Sequence, residues 1–439
     1  MENNTTIVSE GSLDRVDEVF RSLWDDRAPL VIADSNTWKA AGAQVFKTLK
    51  ESFGDRCSRF IFPDNPKVYA DYDNVTTVRQ VLEEHPESIA VAVGSGTIND
   101  LVKRASFEVG RGYMVVPTAC SMDGYTAKGA SISRDGFKQT MDCPVPKAMV
   151  ADPLVFRHAP AAMSASGYGD LAAKVPAGAD WLIADRLGIE PIHDEAWHLA
   201  QDGLKEVLAD ARLLVDPGSG YIDRVFLKLV DLGQAMAVYK DTRPASGADH
   251  LMSHVWEMEH LFYQGIEPSH GFKVSIGTLV STALMTEFLK VDIVQGKEKV
   301  ARFPGLAWKD RLAQVKALLS STPTPPPVFE TTVKTYKVKY LEPPALKARQ
   351  KIILEKWNDI QGALADQLIP FDTLKGLLGV AGCPTEPGHI GLSGQRLELG
   401  IRKALLIRNR YTILDFLYEA GLFEDLVTQV VYGGEYFSI

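Results

Sequence analysis

Three short segments carry the residues best suited to chemistry: Gly167-Tyr168-Gly169-Asp170, His250-x-x-x-His254 and His270-Gly271. Histidines four apart on a helix share a face, and His270 opens a further element after the turn QGIEPS. A carboxylate with two imidazoles is a donor set for a borderline divalent cation that keeps an open coordination position. A lone histidine on a helix is usually structural or exposed, and His85, His158, His193, His198 and His389 have no comparable company. His260 falls near the pair without special spacing.

A second set of polar residues sits where apolar runs end. PLVIADSNT (29–37) reads as a buried strand finishing in Asp34, Asn36 and Thr37, with a helix behind it. SIAVAVGSGTINDLVKRASF (88–107) reads as strand, glycine turn and helix, and GYMVVPTACSMDG (112–124) as a strand whose tip carries Thr118, Ser121 and Asp123. Continuous apolar runs are covered on both faces, which predicts a mostly parallel α/β sheet. Ligands in such sheets sit at the carboxyl ends of strands, so these tips predict a dinucleotide site. Gly94, Ser95 and Gly96 would let a diphosphate approach the backbone at a helix start, and Asn99 and Asp100 complete the candidate cofactor set. Each tip could equally be a helix cap or turn. An acid such as Asp34 disfavours a 2′-phosphate, which leans the reading to NAD over NADP.

The elements that must hold these residues follow a two-part plan. At 439 residues the chain predicts two domains, a nucleotide-binding α/β domain over 1–158 and a helical metal- and substrate-binding domain over 159–439. STPTPPPVF (321–329) reads as a linker, and TTVKTYKVKYLEPP (331–344) as extended. The formal charge of -9, from 56 acidic and 47 basic residues without long blocks, gives no support to a nucleic-acid surface. Four distant cysteines argue against a disulfide framework. The first residues lack an apolar signal core, and no run of about 18 consecutive apolar residues is present. The expectation is a soluble cytoplasmic protein without membrane insertion, with a homo-oligomer left open.

The chain resembles the sn-glycerol-1-phosphate dehydrogenase family, within the group containing iron-containing alcohol dehydrogenases, glycerol dehydrogenase and dehydroquinate synthase. VAVGSGTINDLVK, VVPTACSMDGYTAKGASI, PKAMVADPLVF, SGYGDLAAKVPAGADW, RPASGADHLMSHVWEM, HGFKVSIGT, AGCPTEPGHIGLS and IRNRYTILDFL carry the likeness, in family order. It implies a Rossmann-like N-terminal domain, an all-helical C-terminal domain and dehydroquinate synthase-like architecture. It further implies a metal on Asp170, His250 and His270, with His254 lining the site, and NAD or NADP over Gly94, Ser95 and Gly96. Thr118, Ser121 and Asp123 would border nicotinamide and substrate, with Asp123 and His254 the catalytic candidates. The implied reaction is metal-assisted hydride transfer between nicotinamide and dihydroxyacetone phosphate or glycerol 1-phosphate, a small phosphorylated ketone or triol. Zinc is the expected metal, with nickel or iron also satisfying the ligand chemistry.

Two departures stand out. Ser121-Met122-Asp123-Gly124 replaces the Ser-His-Asp-Gly of many relatives, and the chain is longer than typical members, with an insertion expected near 321–345. Lys128, Lys147, Lys174 and Arg243 are the candidate phosphate ligands. A glycerol or other polyol dehydrogenase, a dehydroquinate-synthase-like cyclase and a non-catalytic binding protein of the same fold are the competing readings.

Overall fold

The computed structural model describes residues 4–322 and 324–439. It divides into two compact units, the first comprising Met1–Arg134, Lys138–Tyr168 and Arg212–Asp241, the second Asp135–Phe137, Gly169–Ala211 and Thr242–Ile439.

In the first unit β1 (Thr5–Val8), β2 (Ala28–Asp34), β3 (Ser58–Phe62), β4 (Ser88–Gly94), β5 (Tyr113–Pro117) and β8 (Ala148–Ala151) form one sheet in the order β1-β8-β5-β4-β2-β3. Every pairing in it is parallel. β6 (Ala130–Arg134) and β7 (Phe137–Met141) make a separate pair. All seven residues of β4 are buried, which is why its sequence shows no polar alternation. Val31, Ala33, Val91, Val93, Met114, Val116 and Val150 project from one face onto α1 (Val16–Leu23) and α2 (Ala43–Phe53), closing a core with Phe20, Leu49 and Phe53. Each fully buried side chain of this size contributes about 1.5–3 kcal/mol. α3 (Tyr72–Glu84) and α4 (Gly96–Glu108) pack together. The chain runs from β2 outward to β3, then returns to β4 on the other side of β2, so strand order reverses between the carboxyl ends of β2 and β4.

The helix Tyr221–Tyr239 reads from sequence as part of the helical half, yet it belongs to the first unit. Thr126 Oγ1 donates to the Val230 carbonyl at 3.0 Å, and the Phe226 ring lies 4.4 Å from Phe156. The compact units therefore do not follow a single cut at residue 158.

The second unit is helical, with α5 (Ala161–Ala172) entering it at Gly169, followed by α6 (Lys174–Arg186), α7 (Ala248–Met258), α8 (His270–Leu289), α9 (Trp308–Leu319), α10 (Pro326–Lys339), α11 (Pro343–Gln367), α12 (Gly394–Ala404) and α13 (Ile413–Glu419). α8 is long and apolar enough to pass for a membrane span, but 83% of that window is buried within the protein. A helix apolar on all sides is a central core helix. α7 approaches it closely because Gly277 has no side chain; a Cβ there would lie 2.3 Å from the Asp249 carbonyl oxygen.

One expectation is overturned here. The tract 331–344, read as extended from its β-branched residues, is helical through Lys339 and again from Pro343. Prolines at its first turn are compatible with helix initiation, and Val328, Thr332 and Tyr336 fall four apart on one buried face. Burial of that stripe outweighs the weak strand propensity of Thr, Val and Tyr. Of the linker-like tract 321–329, Pro323 lies outside the described residues.

Candidate functional site

Asp170 on α5, His250 on α7 and His270 at the first position of α8 meet in the second unit, their ligand atoms all within 4.8 Å of one another. Ligands bonded at about 2.1 Å around a tetrahedral cation stand roughly 3.4 Å apart, so a small contraction would close the triad on a metal. His250 Nε2 already lies 3.2 Å from Asp170 Oδ1. The donor set therefore fits a borderline divalent ion with one position left for another ligand. Close packing of α5 on α8 sets the spacing: a Cβ at Gly169 would fall 2.1 Å from Ser275 Oγ and 2.8 Å from the Gly271 carbonyl oxygen. Gly169→Ala should force those helices apart beside two of the three ligands. We expect metal affinity to drop by at least about tenfold, of the size seen when ligand orientation is disturbed, as read by zinc titration of the metal-stripped protein.

Charged side chains surround the triad. The Lys174 ammonium lies 2.7 Å from Asp170 Oδ1, with neither side chain exposed. Burial pushes the Asp170 carboxyl up, but Lys174 and the His250 hydrogen bond more than reverse this and hold it well below the usual range. His250 hydrogen-bonds through Nδ1 to Asp249, leaving Nε2 toward Asp170. Burial and Lys174 press its pKa down, yet Asp249 and Asp170 carry it up to about 9. His270 Nδ1 is 2.8 Å from Glu257 Oε1, and His254 Nδ1 is 3.2 Å from Glu257 Oε2. Burial drives His254 down to about 3 against the pull of Glu257, so its imidazole is neutral at physiological pH. Its ring centroid lies 6.0 Å from that of His270.

In the first unit, Asp34, Asn36, Thr37, Ser95 and Thr118 line one cavity of about 930 Å³. That volume is in the range of small-molecule and cofactor sites. Asp34 is also a helix cap: its Oδ1 accepts from Asn36 N–H (2.9 Å) and Thr37 N–H (2.8 Å), while Thr37 Oγ1 accepts from Asp34 N–H (3.0 Å). Gly94 and Gly96 bracket Ser95 at the turn, where a Cβ on Gly94 would lie 2.6 Å from Ile98 Cβ and one on Gly96 3.2 Å from Met122 Cγ. Met122 thus rests on the glycine turn.

Asn99 and Asp100 are not among the residues lining this cavity. Asn99 Oδ1 accepts from the Tyr113 hydroxyl at 3.0 Å, and Asp100 Oδ2 accepts from Ser131 N–H at 3.1 Å. Both hold the framework beneath the loop after β5. At the centre of that framework Lys103, buried, donates to the carbonyls of Gly124 (2.9 Å), Ala127 (2.9 Å) and Gly129 (3.1 Å). Ser121 and Asp123 lie on this loop, outside the cavity lining; the Ser121 carbonyl accepts from Ser166 Oγ at 3.4 Å.

Sequence reasoning missed several members of these sites. Lys39, Gln44, Asp152 and His158 line the cavity, although His158 reads in sequence as isolated. Glu257 could have been found, because it stands three residues after His254 on the same helix face. Asp249 flanks His250 at i−1, where it looks in sequence like an ordinary helix charge, and Lys174, read in sequence as a phosphate candidate, flanks Asp170 at i+4.

The first unit thus holds a parallel nucleotide-type sheet, and the helical unit brings together one acid and two histidines. A family model described as iron-containing alcohol dehydrogenase matches residues 7–160. The chain is 31% identical to the glycerol-1-phosphate dehydrogenase [NAD(P)+] of Geobacillus thermodenitrificans over 303 residues, 67% of this chain and 74% of the relative. It is 32% identical to the enzyme of that name from Halalkalibacterium halodurans over 276 residues, 63% of this chain and 67% of the relative. The chain belongs to the glycerol-1-phosphate dehydrogenase family. Its fold is also similar to a crystal structure of a probable glycerol dehydrogenase from Sinorhizobium meliloti, with a TM-score of 0.60, 16% identity and 97% of each chain covered.

Proposed function

We propose that this chain is an NAD(P)-dependent, metal-assisted dehydrogenase acting between dihydroxyacetone phosphate and glycerol 1-phosphate, in the cytoplasm. The Asp170, His250 and His270 cluster carries the reading. When bound, the cation supplies Lewis acidity at the reacting oxygen and the nicotinamide supplies or accepts hydride. Asp170, His250 and His270 would hold the cation, and zinc suits their chemistry without any redox change. The cavity at the carboxyl ends of β2 and β4 would hold the cofactor, the Ser95 turn taking its diphosphate and Asp34, whose Oδ2 takes no part in the cap, a ribose hydroxyl. His254 is neutral, with Nδ1 held by Glu257, so Nε2 presents a lone pair that would accept a hydrogen bond from a substrate hydroxyl. Asp123 orients a substrate hydroxyl.

The four cations picked out in sequence do not suit the phosphate. Lys128 pairs with Asp142 at 3.0 Å, Lys174 pairs with Asp170, and Lys147 precedes β8, at the amino end of the sheet. Arg243 is fully buried, donating to the carbonyls of Tyr411 and Asp180 at 2.8 Å each.

The test is reduction of dihydroxyacetone phosphate and of dihydroxyacetone with NADH and NADPH, before and after chelation. Two charge-assisted bonds to phosphate are worth roughly 3 kcal/mol, so kcat/KM should favour the phosphorylated ketone by about 100-fold, and chelation should abolish turnover. Equal kcat/KM for the two ketones would transfer the assignment to a neutral polyol. A metal-loaded protein without net NAD(P)H turnover would favour a cyclase or a binding role.

A further inference from the structure

Glu257 has no role in the reading above beyond its bond to His254, yet its two oxygens are divided between two histidines. Oε1 meets Nδ1 of His270 at 2.8 Å and Oε2 meets Nδ1 of His254 at 3.2 Å. The side chain is only 7% exposed, and the buried Lys273 ammonium stands 3.6 Å from Oε1. Lys273 also bonds Glu267 at 3.0 Å, so its charge is shared. Asp249 makes the corresponding bond to His250 but engages that one imidazole.

An ionised carboxylate accepts and cannot donate. Glu257 therefore fixes both imidazoles with the proton on Nδ1 and the lone pair on Nε2. One lone pair is then available to a cation and the other to a substrate hydroxyl. Carboxylates that accept from the far nitrogen of a ligating histidine orient the ring and raise its basicity.

We propose that Glu257 is the shared positioning residue of the metal centre, setting the tautomer and orientation of His270 as ligand and of His254 as hydrogen-bond acceptor through one carboxylate. This rests on the metal-centre reading above. An alternative is that Glu257 only ties α7 to α8 as the ion-pair partner of Lys273.

The experiment is zinc competition against a chromophoric chelator, using the metal-stripped full chain as wild type, Glu257→Gln and Glu257→Asp, with the thermal midpoint of each metal-free protein measured in parallel. Glu257→Gln keeps the shape but loses one acceptor; Glu257→Asp keeps the charge beside Lys273 but is too short to span both rings. Both should bind zinc about 10–100-fold more weakly, with cobalt(II)-loaded samples showing an altered visible spectrum. Unchanged affinity in either variant overturns the proposal, including the case in which only the metal-free midpoint falls, which is the ion-pair outcome. Wild type that binds no zinc overturns both this proposal and the metal-centre reading. Wild type that binds zinc but does not reduce dihydroxyacetone phosphate overturns the substrate reading and leaves the Glu257 result to stand or fall on its affinities.

Discussion

His270→Ala should leave a folded protein that carries no stoichiometric metal and has lost turnover by about 10³-fold or more. The magnitude follows from the several kcal/mol of charge stabilisation that a Lewis-acidic cation provides, converted at 1.36 kcal/mol per decade. The fold should survive because the His270 side chain is one-third exposed and the α8 cap lies one residue earlier, where Ser269 Oγ accepts from Phe272 N–H at 3.3 Å. Alanine is well accepted at a first helical position. Metal analysis after gel filtration, together with NADH oxidation rates, measures both parts. Full metal content with an unaltered rate would remove His270 from the centre and with it the reading of the triad.

Asp180→Ala should cost about 3–5 kcal/mol of folding stability, which is the scale for breaking a buried charged network and a large share of a typical total. Asp180 is fully buried on α6. Its Oδ2 accepts from Ala248 N–H at 2.7 Å and its Oδ1 from Ile413 N–H at 2.6 Å, so one side chain caps the starts of α7 and α13 together. The Arg243 guanidinium donates to the Asp180 carbonyl at 2.8 Å. Alanine would strand two buried N–H donors, at about 1–3 kcal/mol each. Asp180→Asn keeps one good acceptor and should lose roughly half as much. Urea unfolding of the three proteins gives the comparison, and a loss below about 1 kcal/mol for the alanine variant would show that water or a neighbour replaces the cap.

The parts of the molecule that were legible in sequence share a cause. β2, β4 and β5 are covered on both faces, so their unbroken apolar runs and glycine or polar tips stand out. Asp170, His250 and His270 announce themselves by residue type and the short motifs around them. β1, with only four residues and partial exposure, gives no such contrast. Asn99 and Asp100 show a loop-supporting role that the sequence did not suggest, because a polar residue in the first turns of a helix behind a glycine turn has two uses, ligand contact and loop support, which look alike until the loop's backbone is traced. Glu257 and Asp249 were unreadable for the complementary reason, and Lys174 was legible as a cation but not as the partner of Asp170. A charge on a helix is normally solvated, and only the packing of α6 and α7 against α8 puts these three inside.

The three bonds from Lys103 end on main-chain oxygens of residues 124, 127 and 129. The path of the loop after β5 is consequently anchored by the peptide chain itself, like a tool holder whose grip does not depend on the bit it carries. Met122 can stand where many relatives carry histidine without the strand tip being rebuilt. By the same logic, side chains at 122 and 123 can be exchanged without releasing the loop, whereas exchanging Lys103 would disturb every choice made at them.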